Sequence, residues 1–115
     1  SNEYLYGVQN KYNFKNTTLL EIIEKYKITK IDLIKSDIEG CERYMVKDLI
    51  NICKKYKPQL AISIYHANHK YNDKLIDLVD IPYQLIKSLE DYDFYIEHYT
   101  YARWEIILYC IPKNI

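Results

Sequence analysis

Ile31-Asp-Leu-Ile-Lys-Ser-Asp-Ile-Glu-Gly40 decides how this chain is read. Ile31, Leu33 and Ile34 form an apolar run long enough for one buried strand, Ile31 to Ser36. The run stops on Asp37-Ile-Glu39-Gly40, and a helical spacing begins almost at once. Strand, acidic turn, helix is the unit of an open α/β sheet, in which ligands collect beyond the carboxyl ends of the strands. Two carboxylates at that place are either part of a site or an acidic helix start that complements the backbone dipole.

Working outward, Met45, Val46, Leu49, Ile50, Cys53 and Tyr56 trace one helical face. Lys54, Lys55 and Lys57 suit the C-terminal end of that helix, and Pro58 stops it. Gln59 to Tyr65 is nearly continuously apolar, as in a central parallel strand. His66-Ala-Asn-His69 follows as a loop, and Asn72 or Asp73 is a cap for a helix carrying Leu75, Ile76, Leu78 and Val79. Pro82 is expected to restart helix with Leu85, Ile86 and Leu89 inward. Asp91-Tyr-Asp93 reads as a turn, Phe94 to Tyr99 as an edge strand with one solvated face, and Glu105 to Ile111 as another strand. A connection as short as Thr100 to Arg103 forces the last two strands to be antiparallel. On the N-terminal side, Thr18-Leu-Leu-Glu21 is a capping box for a helix reaching about Tyr26 or Lys27. Residues 1–16 read as an irregular arm or a single edge strand around Tyr4 to Val8, and residues 17–115 as the domain. The class is α/β with an antiparallel last strand and helices on both faces of the sheet.

The 115 residues suffice for one domain with a modest core. Sixteen basic residues balance sixteen acidic ones, so nucleic acid and anionic membrane surfaces are not expected as partners. No apolar run approaches the roughly 20 residues of a membrane span, and the first residues lack the pattern of a secretory signal. Cys41, Cys53 and Cys110 are odd in number, form no CxxC pair and lie in or beside apolar segments. They read as buried small hydrophobes in a reducing, cytoplasmic setting. Gly7 and Gly40 stand alone, so the sequence contains no Gly-rich phosphate or cofactor loop.

His66 closes the second strand, which sets it on the same rim as Asp37 and Glu39. These three are the candidate catalytic residues. A carboxylate there would hold a substrate hydroxyl or a divalent metal, and His66 would act as general base or as a metal ligand beside Asp37. The plainer alternatives are helix-dipole acids and a hydrogen-bonded loop imidazole. His98 is a further candidate for the rim or for packing against Tyr65 or Tyr109, and His69 reads as a solvated loop residue. Arg103 and Trp104 lie in the last loop, and Tyr95, Tyr99, Tyr101 and Tyr109 would stack a sugar or cover a sheet face.

Four blocks in order carry a resemblance. Ile31 to Glu42, Lys57 to His66, Phe94 to Thr100 and Glu105 to Pro112 resemble the FkbM-type S-adenosylmethionine-dependent methyltransferases. The resemblance implies a partial doubly wound, Rossmann-like methyltransferase sheet of about four main strands, equivalent to the fourth to seventh strands of that domain. It further implies O-methyl transfer to a hydroxyl of a sugar or small molecule, with S-adenosylmethionine as cofactor. The Gly-rich turn and ribose-binding acid of such enzymes belong to the first half of the domain, so the chain is expected to be a truncated or split half, inactive alone. The alternative is a non-catalytic α/β interaction module. With no first strand beside it, Ile31 to Ser36 would be an open edge through which two copies pair as a homodimer.

Overall fold

A computed structural model of the chain describes residues 16–66, 76–100 and 105–114. The elements run α1 (Leu19–Lys25), β1 (Leu33–Ser36), a 3-10 turn (Glu42–Tyr44), α2 (Val46–Tyr56), β2 (Gln59–Ser63), α3 (Asp77–Ser88), β3 (Tyr92–His98) and β4 (Ile106–Pro112). The four strands make one mixed sheet in the order β1-β2-β4-β3. β1 and β2 are parallel, with Leu33 opposite Gln59 and Ser36 opposite Ile62. β4 runs antiparallel to β2 on one side and to β3 on the other. The last two strands pair antiparallel as the short connection requires, but β4 is also the piece that joins β3 to the rest.

Period two sorts the sheet. Leu60, Ile62, Ile106, Leu108 and Cys110 share one face, where they meet Val46, Leu49 and Cys53 of α2, Ile81 and Leu85 of α3, and Leu89 just past it, in one buried cluster. Each of the fully buried Leu and Ile side chains contributes about 1.5–3 kcal/mol of transfer free energy. The reverse face carries Leu33, Lys35, Tyr95 and Glu97, all exposed among the described residues.

Local chemistry accounts for the element ends. Thr18 caps α1 by accepting from the Glu21 amide at 3.1 Å, but the Glu21 carboxylate accepts from the Thr17 hydroxyl at 3.0 Å instead of closing a reciprocal box on Thr18. Lys57 takes a left-handed conformation (φ 53°) and its amide bonds Cys53 O, which ends α2 before the buried Pro58.

Several boundaries differ from expectation. β1 is shorter than 31–36, and among the described strands it is an edge, with Leu33 exposed. The 3-10 turn separates Gly40 from α2. Pro82 lies inside α3 instead of starting a new helix. It forfeits one backbone bond there, but Ile81, Pro82 and Leu85 are all buried, and their packing outweighs the lost bond. Ile86 faces solvent, and the inner stripe is Ile81, Leu85 and Leu89. Tyr92 belongs to β3 instead of a turn, because its hydroxyl donates to the buried Pro58 carbonyl at 2.6 Å and its backbone pairs with Pro112. Burial also pushes the Tyr92 hydroxyl pKa well up from its ordinary value. Cys53 and Cys110 are buried and free, as expected, and Cys41 is half-buried and free. The arm or edge strand around Tyr4 to Val8, the Asn72/Asp73 cap and Leu75 lie outside the described residues.

Candidate active site

Parallel pairing of β1 and β2 puts their carboxyl ends on one rim, so Asp37 and His66 meet there although 29 positions separate them in the chain. His66 Nε2 is 3.5 Å from Asp37 Oδ1 and 3.5 Å from Glu39 Oε2. Its ring stacks on Tyr65, with centroids 4.2 Å apart. The imidazole is 10% exposed while the side chains of Asp37 and Glu39 are 48% and 83% exposed, so the carboxylates form the solvent side of the cluster. Neither carboxylate lies within ordinary hydrogen-bond distance of Nε2.

The turn that presents these acids is unusual. Glu39 has φ 57° and Gly40 φ 92°, two consecutive residues on the left-handed side. Gly tolerates this freely and Glu does not, so the surrounding bonds must hold the turn. Glu42 supplies them. Its carboxylate is buried and accepts from the amides of Ile38 and Gly40 (the latter at 3.1 Å) and from the Ser36 hydroxyl at 3.4 Å. The strand end, the turn and the 3-10 segment are therefore tied to a single buried anion. Its Oε1 lies 3.8 Å from His66 Nδ1, and among the described residues Nδ1 has no hydrogen-bond partner.

Arg43 pairs with Asp77 at 2.9 Å, with both side chains largely buried. That pair ties the 3-10 turn to the first residue of α3. Burial pushes the Asp77 carboxyl above the usual carboxylate range, against the lowering effect of Arg43, and Glu42 and Asp80 push in the same direction as burial.

Asp37, Glu39 and His66 are thus brought together, and sequence reasoning missed Glu42. The signal for it was an acid two positions after a lone glycine, at the start of a helix. Asp37, Glu42 and His66 offer ligand atoms that all lie within 4.8 Å of one another. His98 is exposed at the end of β3, not packed in the core. Tyr95 and Tyr99 are also exposed, and the Tyr99 and Tyr109 hydroxyls lie 2.6 Å apart. That contact raises the Tyr99 pKa to about 12. His69, Tyr101, Arg103 and Trp104 lie outside the described residues. A concavity of about 550 Å³ lined by Lys54, Lys57, Lys87 and Tyr92 opens at the other end of β2, away from these groups. No described helix is long and apolar enough to cross a membrane.

The comparisons with known proteins bear on the family and the fold. The chain is similar to the crystal structure of methyltransferase FkbM from Methylobacillus flagellatus KT, with 35% identity and a TM-score of 0.55. That match covers 68% of this chain and 19% of the other, so the chain spans less than a quarter of that protein's length. No curated protein matches. The family model of the methyltransferase FkbM domain matches residues 2–102, most of the chain, and the chain belongs to that family.

Proposed function

We propose that the chain supplies the acceptor side of an S-adenosylmethionine-dependent O-methyltransferase site, acting on a hydroxyl of a sugar or related small molecule. The observation that carries this is the convergence of Asp37 and Glu39 on His66 Nε2, 3.5 Å from each, at the ends of two parallel strands. The family supports S-adenosylmethionine as the methyl source. The two glycines of the sequence stand apart, so these residues do not make a complete cofactor site, and the methyl donor would be held by other parts of a longer domain. What these side chains do is bind and orient. An acceptor oxygen entering beside them donates its hydrogen to Asp37 or to His66, which fixes its lone pair and removes its proton as it reacts. All three cysteines are free, which supports a reducing compartment such as the cytoplasm.

The test is a methyl-transfer assay with sugar hydroxyl acceptors, alongside S-adenosylhomocysteine calorimetry, on the full-length gene product. Asp37→Asn should lower kcat by about 10²–10⁴-fold with cofactor affinity unchanged. Unchanged turnover would remove Asp37 from the reaction.

A second, non-catalytic reading is favoured by β1, which among the described strands pairs with β2 alone and leaves Leu33 60% exposed. Such an edge is a template for another strand, and pairing of two copies through residues 31–36 would cover it. Light scattering should give twice the chain mass, reverting to monomer in Leu33→Lys; a monomeric wild-type chain would overturn it.

A further inference from the structure

We propose that Asp37, Glu42 and His66 form a divalent metal site for an ion of the Mn2+ to Zn2+ range. One ligand atom from each residue lies within 4.8 Å of the others. Two ligands opposite one another across such an ion are about 4.2–4.4 Å apart, so a small inward movement of the half-exposed Asp37 closes the set.

The second, independent observation is the state of the two buried members. His66 is nine-tenths buried, and among the described residues its Nδ1 has no hydrogen-bond partner. Such a nitrogen costs free energy unless something occupies it. It faces Glu42 Oε1 at 3.8 Å, too far for a hydrogen bond and suited to an ion between them. An ion about 2.1 Å from each atom would subtend an angle of about 130°.

Lone-pair accounting points the same way. Glu42 Oε2 already accepts two donors, from Ile38 and Ser36, while Oε1 accepts one, from Gly40. With roughly two acceptor positions per carboxylate oxygen, the position left over is on Oε1, the atom facing Nδ1. Three carboxylates converge on this single imidazole. With formal charges of −1 on each acid and +1 on a protonated ring, the group would still carry −2. A ligating imidazole is neutral, so a divalent cation would reduce the −3 of the three acids to −1, and it accounts for a buried glutamate held rigidly by backbone amides. Mixed nitrogen and oxygen donors suit Mn2+ or Zn2+ better than Mg2+, which prefers oxygen and retains its waters. Three protein ligands leave coordination positions open for water or an acceptor oxygen. Any role in methyl transfer rests on the function proposed above, while metal binding itself does not.

The experiment is titration of the chain with Mn2+, read by loss of the free-ion electron paramagnetic resonance signal. One ion per chain should bind. Asp37→Asn and His66→Gln should each weaken binding at least ~10-fold, and Asp93→Asn, at the far end of β3, should leave it unchanged. Circular dichroism checks folding. If His66→Gln unfolds, Asp37→Asn decides, since that side chain is half-exposed and, among the described residues, makes no structural bond other than its approach to His66. Undiminished free signal at millimolar Mn2+, or wild-type binding in Asp37→Asn, would overturn the proposal. Metal binding without methyl transfer in the full-length product would instead strike only the methyltransferase reading.

Discussion

Glu42→Gln tests whether one buried anion holds the acidic turn. The carboxylate accepts from two amides and one hydroxyl, and the residue is 1% exposed. In the better of its two orientations the glutamine amide keeps its oxygen toward Ile38 and Ser36 and turns its NH2 toward Gly40. One buried backbone amide is then left unpaired, at a cost of about 1–3 kcal/mol. The two remaining bonds lose their charge assistance, about 1 kcal/mol each. Relief of repulsion from Asp37 and Glu39 opposes these losses, but both are exposed enough for water to screen them. The net expectation is a loss of about 3 kcal/mol, or roughly 12–24 °C in Tm for a domain of this size. Urea unfolding followed by far-UV circular dichroism, at pH 7 with EDTA present, measures it. A change smaller than about 0.5 kcal/mol, the range of ordinary surface substitutions, would refute the bonding described for Glu42.

Two other measurements follow from the titrating groups. The Asp77 carboxyl has a raised folded pKa, so its neutral form is favoured in the native state, and its contribution to stability is greatest below the unfolded value near 3.8. The stability of wild type relative to Asp77→Asn should therefore fall as pH rises from that value through the raised folded pKa; a relative stability that rises over this window would contradict the assignment. Burial raises the thiol pKa of Cys53 and pushes that of Cys110 up to about 12, while Cys41 is half-buried. Ellman's reagent at pH 8 should accordingly label one thiol per native chain quickly and the other two only on unfolding, and rapid labelling of all three would contradict the core.

The strands and the meeting of Asp37 with His66 were legible because they depend on short-range signals. Gln59 to Tyr65 is too apolar to lie anywhere but the sheet centre, and two parallel strands must end on the same rim. What was not legible depends on contacts distant in sequence. Tyr92 sits between two aspartates that look like a turn, and its place in β3 follows from a hydrogen bond to Pro58, 34 positions away. Pro82 looks like a helix start until the burial of Ile81 and Leu85 on either side is known. Glu42 looks like any acid in the first turn of a helix. Only the left-handed conformations of Glu39 and Gly40 fold the chain back far enough for its carboxylate to reach the Ile38 and Gly40 amides.

The placement of β4 has a consequence for assembly. β4 is the last described strand in the sequence, yet it lies between β2 and β3, and β3 has no other described partner. During synthesis the chain emerges with β2 paired only to β1, and β3 must wait as a lone ribbon until Ile106–Pro112 arrives to bridge them. The interior face of β2 stays open on that side for the same interval. Most of the sheet therefore closes in one late step, in which the β2–β4 pairing is of long sequence separation; this slows folding and exposes an apolar edge to other chains. A nascent chain halted before residue 106 should behave as a chaperone substrate, and release of the last strand would be the event that withdraws it.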